Sequence, residues 1–213
     1  MKIKRSSMRL YAVTDRAWLK EGQTLPQAVE EAIKGGATFI QLREKGTAYR
    51  DFKALALEIK DICSRYSVPF VINDDVALAK EVDADGVHVG QSDMEVKNAR
   101  AVLGKDKIIG VSAATVDAAL TAERRGADYI GVGAVFHTDT KSDAKSVSRE
   151  EIRRITGAVT IPVVAIGGIS KSNVKELKGL SLDGVAVVSA IFAQSDIYSA
   201  AKELKALSDE VFG

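Results

Sequence analysis

With one cysteine in 213 residues, Cys63, an internal disulfide and a cysteine-rich metal site are both excluded. Cys63 ends the stretch Leu55–Cys63, where Leu55, Ile59 and Ile62 have helical spacing and Cys63 extends their face. It is expected as buried filler rather than as a nucleophile. Long apolar runs are missing too. Nothing approaches transmembrane length, and the basic start with Lys2, Lys4, Arg5 and Arg9 lacks the apolar stretch of a signal peptide. A cytoplasmic protein is expected. Nor is there an excess of either charge: 30 basic residues against 29 acidic leave +1, so no global field recruits nucleic acid or an anionic membrane. Any anion site must be local. Without a composition shift, a low-complexity segment or a long linker, residues 1–213 read as one domain, with residues 1–8 as a frayed, flexible N-terminal extension.

Short apolar runs recur with helical periodicity between them, the signature of repeated strand–helix units. The runs are Leu10–Thr14, Thr38–Leu42, Phe70–Ile72, Gly86–Val89, Ile108–Val111, Tyr129–Val132, Val163–Ile166 and Gly184–Val188. Leu25, Ala28, Val29, Ala32 and Ile33 share one helical face, and Ser92 with Glu95 forms a candidate capping box. Strands apolar on both faces and joined by helices make a parallel sheet. Eight units in this length predict an α/β protein, a single-domain (β/α)8 TIM barrel, with an open doubly wound sheet as its rival. The rival is the weaker reading, because Gly131-Val132-Gly133 lacks the third glycine of a dinucleotide fingerprint, Phe136 standing in its place.

In a barrel, ligands bind where the strands end. After the second run come Gln41, Leu42, Arg43, Glu44 and Lys45, and strand alternation would put Gln41, Arg43 and Lys45 on one side. Neighbouring cations facing one way suit a phosphate or a carboxylate, while a solvated strand end paired with Glu44 and Asp51 is the alternative. Asn73-Asp74-Asp75 follows the third run, Gln91-Ser92-Asp93 the fourth and Ser112 the fifth. Asp74 and Asp93 could converge on one Mg²⁺, which takes one or two carboxylates with water and phosphate oxygens; each acid alone could equally cap a helix. Asp75 as cap with Asp74 as ligand would divide the work.

Gly167-Gly168 after the seventh run and Val188-Ser189 after the eighth expose backbone amides, a phosphate cradle at a position that recurs in barrels. Ala134–Val147 is long for a barrel connection, and with Thr138, Asp139, Thr140 and Lys141 it reads either as a lid or as a solvated loop. Lys141 would add a third cation to the clamp. His88 sits within its strand and is expected as a hydrogen-bonded core or rim histidine rather than a base, His137 as solvated, Trp18 as packing for the first loop, and Tyr11 as a secondary candidate for the pocket.

Taken in order, Gln41-Leu42-Arg43-Glu44-Lys45, Ile72-Asn73-Asp74, Gly86-Val87-His88-Val89-Gly90-Gln91 with Asp93, Gly110-Val111-Ser112, Gly131-Val132-Gly133, Thr138-Asp139-Thr140-Lys141 and Ala165-Ile166-Gly167-Gly168-Ile169 resemble the thiamine-phosphate synthase family. The resemblance implies a transferase joining a hydroxymethylpyrimidine diphosphate to a thiazole phosphate, or to its carboxylated form, with release of diphosphate. It implies that Gln41, Leu42, Arg43, Glu44, Lys45, Asn73, Ser112 and Lys141 bind the pyrimidine diphosphate, with Arg43, Lys45, Lys141 and Ser112 catalytic. It further implies Asp74 and Asp93 as ligands of Mg²⁺, and Thr138, Asp139, Thr140, Gly168, Val188 and Ser189 around the thiazole phosphate. The partners are then small phosphorylated molecules, with no nucleic acid and no membrane; a homo-oligomer is compatible with this. Ala134 and His137 depart from a family pattern that has prolines there. A thiazole-phosphate tautomerase and a non-catalytic barrel binding a thiamine precursor are the rival functions.

Overall fold

The computed structural model describes residues 3–90, 96–137 and 146–213. Eight parallel strands close into a barrel in sequence order: β1 (Leu10–Val13), β2 (Phe39–Leu42), β3 (Phe70–Asn73), β4 (Gly86–Val89), β5 (Ile108–Ser112), β6 (Tyr129–Val132), β7 (Val163–Ile166) and β8 (Gly184–Val187). β8 pairs with β1 through Leu10 opposite Val185, which leaves no edge strand. The open sheet is thereby excluded. The predicted runs differ from these strands by at most a residue at either end.

Helices α1 (Leu25–Lys34), α2 (Tyr49–Arg65), α3 (Val76–Glu81), α4 (Val96–Leu103), α5 (Val116–Arg124) and α6 (Arg149–Ala158) follow the first six strands. α7 (Ser189–Phe192) and α8 (Ile197–Phe212) follow β8. Short polar side chains start many of them: Thr24 and Gln27 form a capping box on α1, and Asp75, Thr115, Ser148 and Asp196 each accept from an amide in the first turn of their helix. The alternation fails once. Between β7 and β8 a 3-10 turn, Val174–Leu177, replaces the expected α-helix. The candidate box of Ser92 and Glu95 lies outside the described residues.

Strand alternation divides the core into two layers. Leu10, Ala12, Ile40, Leu42, Ile72 and Val87 point outward and pack under the helices, whereas Tyr11, Phe39, Val71, Ile108, Tyr129 and Val164 fill the barrel itself. Tyr11, Phe39 and Tyr129 meet edge to face, with centroids 4.5 to 5.9 Å apart. Gly110 makes room for them: a Cβ there would lie 2.0 Å from Tyr129 Cζ.

Arg5–Met8 forms a 3-10 turn, Arg5 bonds Asp183 at 2.8 Å, and Met8 is completely buried against the barrel interior. Met8 plugs the bottom of the barrel. Cys63 is buried filler as expected, its thiol pushed up to about 12 by burial and the nearby Asp85 charge.

Candidate active site

A cavity of about 260 Å³ opens at the carboxyl ends of the strands. Gln41, Arg43, Asn73 and Ser112 line one part of it, and Gly168, Val188 and Ser189 another, so seven predicted residues share one space. Val13, Val164, Ile166 and Ala186 supply an apolar floor.

Arg43 extends the inward side of β2, and its guanidinium meets Asp15 at 3.3 Å with its side chain only 10% exposed. Thr14 fixes the backbone beside it, its hydroxyl accepting from the Arg43 amide at 2.9 Å. The next pair is reversed in sign: Arg16 meets Glu44 at 2.5 Å, and Thr47 donates to the same carboxylate. Two crossed ion pairs therefore staple the loop after β1 to the loop after β2.

This corrects the predicted ladder. β2 ends at Leu42, so strand alternation does not reach Lys45, which is exposed and outside the cavity lining. Leu42 points outward into the helix layer, and Glu44 is turned away into its pair with Arg16. Asp51 pairs with its neighbour Arg50 rather than with the ladder. Trp18 is 44% exposed, and Leu19 rather than Trp18 packs against the core.

Asp15 is the residue that sequence reading passed over. It holds a negative charge where an anionic ligand would meet Arg43, while also accepting from the Ala17 amide. Asp15→Asn keeps that acceptor and removes the charge. We expect it to lower KM for an anionic substrate severalfold with kcat unchanged, measured by steady-state kinetics.

Just after β3, Asp75 accepts from the Leu78 amide at 2.8 Å and caps α3. Asp74 is exposed at the rim with φ +65, its amide donating to the His88 carbonyl at 2.9 Å and its carboxylate accepting from Asn73 at 2.5 Å. A hard oxygen donor at the mouth of a cavity lined by the Arg43 cation fits a Mg²⁺ ligand beside a phosphate-bearing ligand. Among the described residues there is no cluster of three metal-binding side chains. The predicted second ligand, Asp93, and Thr138, Asp139, Thr140 and Lys141 lie outside the described residues.

The glycine pair is required by its surroundings. Gly167 and Gly168 have φ +90 and +67, and the segment 134–137 crosses directly over them. Val135 and Phe136 donate to the carbonyls of Ile166 and Gly167. A Cβ on Gly168 would sit 2.3 Å from the His137 carbonyl oxygen, so Gly168→Ala must move backbone. We expect it to cost about 1–3 kcal/mol of stability, read by thermal denaturation, and to raise KM for a phosphate ligand bound there. The Gly133–Ala134 peptide is cis.

Beneath the cavity a chain of buried groups crosses the barrel. Gln41 donates to the Tyr11 hydroxyl, which is 2.7 Å from that of Tyr129. The Tyr129 hydroxyl is 2.9 Å from His88 Nδ1, and His88 Nε2 is 3.0 Å from Ser112 Oγ. Burial raises the pKa of both tyrosines well above the ordinary value, so they remain neutral donors. His88 is thus the hydrogen-bonded histidine that its place in the strand predicted. Tyr11 reaches the cavity; Tyr129 gave no signal in sequence, because its partners are 41 and 118 residues away.

A (β/α)8 barrel with a cation beside an acidic rim on one side and a glycine cradle on the other belongs to the enzymes that handle phosphorylated small molecules. Comparison with known proteins narrows the class. Residues 10–191 match the family model described as thiamine monophosphate synthase. A thiamine-phosphate synthase of Clostridium beijerinckii is 54% identical over 196 residues, 92% of this chain and 93% of that protein. One from Methanobrevibacter smithii is 50% identical over 184 residues, 86% and 87% of the two chains. The solved structure of a thiamine phosphate pyrophosphorylase from Pyrococcus furiosus superposes with a TM-score of 0.90 at 39% identity, covering 98% of this chain and 99% of that one. The chain belongs to the thiamine-phosphate synthase family, and its activity is that of this class of transferase. No described helix is long and apolar enough to cross a membrane.

Proposed function

We propose that the cavity joins a hydroxymethylpyrimidine diphosphate to a thiazole phosphate by a dissociative substitution, or to its carboxylated form, in which case carbon dioxide leaves as well as diphosphate. The observation that carries this reading is the shared cavity, in which Gln41, Arg43, Asn73 and Ser112 face the space also bounded by Gly168, Val188 and Ser189. In this scheme Gln41 and Ser112 seat the pyrimidine ring, and Arg43 and Asn73 meet its diphosphate. Lys45 and Lys141 join the same clamp by family resemblance. Gly168, Val188 and Ser189 offer backbone to the thiazole phosphate, with Thr138, Asp139 and Thr140 completing that subsite.

Asp74 with Asp93 would hold Mg²⁺, which when bound neutralises phosphate oxygens of the leaving diphosphate. Arg43 stabilises the charge that grows on the same group as the carbon–oxygen bond breaks. The electron-rich aminopyrimidine spreads the positive charge left on its methylene carbon, and the thiazole nitrogen attacks that carbon. Val13, Val164, Ile166 and Ala186 keep water from the cation. Ala134 lines the cavity with a methyl group only, which supplies no acid or base for a tautomerase.

Mixing both phosphorylated precursors with Mg²⁺ should release thiamine phosphate and diphosphate in equal amounts, and none under chelation. Asp74→Asn should raise the half-saturating Mg²⁺ concentration about tenfold or more. Folded protein that forms no thiamine phosphate would defeat the proposal.

A further inference from the structure

The buried chain from Gln41 to Ser112 has a direction, and both of its ends line the cavity. Each tyrosine has one hydroxyl hydrogen, and a neutral imidazole has one N–H. Because Gln41 Nε2 donates to Tyr11, the Tyr11 hydrogen must pass to Tyr129 and that of Tyr129 to His88 Nδ1. The opposite order would bury a Tyr11 O–H with nothing to accept it, which a buried polar group does not tolerate. His88 therefore carries its hydrogen on Nε2 and donates to Ser112 Oγ. The Ser112 hydrogen is left for the cavity, and so is the carbonyl oxygen of Gln41.

Turning the Gln41 amide over would reverse every bond in the series. Gln41 would then offer an N–H and Ser112 a lone pair. The two ends are thus tied in opposite senses, acceptor with donor, and neither can change alone.

We propose that Tyr11, Tyr129 and His88 are positioning residues that lock Gln41 as an acceptor and Ser112 as a donor, and so select an aminopyrimidine over its deaminated, oxo counterpart. An aminopyrimidine presents an N–H donor and ring nitrogens that accept, which matches this state. Deamination replaces the donor by a carbonyl and turns the adjacent ring nitrogen into an N–H. To receive that ring the whole chain must reverse, or a buried polar group goes unpaired. The inference rests on the reading that the pyrimidine occupies this cavity.

Affinity is the quantity to measure, since the oxo ring also forms the poorer cation and would slow turnover for that reason alone. The native protein should bind the amino diphosphate on the order of a hundredfold more tightly than the oxo diphosphate. Tyr129→Phe keeps the ring and cuts the chain, so Gln41 turns over freely and the preference falls to about tenfold or less. Tyr11→Phe should act in the same sense. Nitrogen-15 spectra of the histidines provide a readout without any ligand: His137→Gln leaves a single imidazole, which should show Nε2 protonated and Nδ1 bare. A bare Nε2, or a preference that survives in both tyrosine variants, overturns the assignment. If neither pyrimidine binds the native protein, the substrate reading fails, and the spectrum of His88 decides the direction of the chain by itself.

Discussion

Arg43→Ala lowers kcat/KM in the synthase assay by roughly three to five orders of magnitude. Its guanidinium is the one described cationic group in the cavity lining, and its side chain is nearly buried. A diphosphate leaving into a partly dry space meets no bulk water to absorb its charge, so a positioned cation has a large effect. The loss should fall mainly on kcat, because the charge on the bridging oxygen grows only as the bond breaks. Removal also leaves Asp15 without its partner beside the substrate, which adds repulsion to lost attraction. Single-turnover measurement of diphosphate release checks the prediction. A variant within tenfold of the native rate would take Arg43 out of the chemistry.

Gly110→Ala destabilises the barrel by about 3 kcal/mol or more and lowers Tm by roughly 6–12 °C. The added Cβ would lie 2.0 Å from Tyr129 Cζ and 2.2 Å from its hydroxyl, distances no rotamer adjustment absorbs. Tyr129 cannot retreat, for it is completely buried against Tyr11 and Phe39. Gly157→Ala is the matched control: it lies near the end of α6 with nothing within 4 Å of its added methyl, and should be neutral or slightly stabilising. Urea denaturation of the two variants side by side separates overpacking from any general intolerance of a lost glycine.

The barrel could be read from sequence because each strand is buried on both faces and each helix on one, so apolar runs and helical spacing carry the layer structure directly. Gln41, Arg43, Asn73 and Ser112 could be placed because they stand at or just past a strand end, where position along the chain translates into position on the rim. Lys45 could not, since the rule of alternation stops where β2 stops at Leu42. Met8 as a plug for the barrel was not legible either, because no local periodicity announces a single residue that fills a hole. Asp15, Tyr129 and Gly110 were silent because their meaning lies wholly in partners far along the chain.

The crossed pairs Asp15–Arg43 and Arg16–Glu44 act as a two-digit lock between the first two loops. Sliding one loop past the other by a single residue sets Arg16 against Arg43 or Asp15 against Glu44, like charge on like. The cation of the anion site is therefore indexed to the loop after β1, although it is carried by the chain after β2. Recombination between relatives would respect that lock only if positions 15–16 and 43–44 were inherited together.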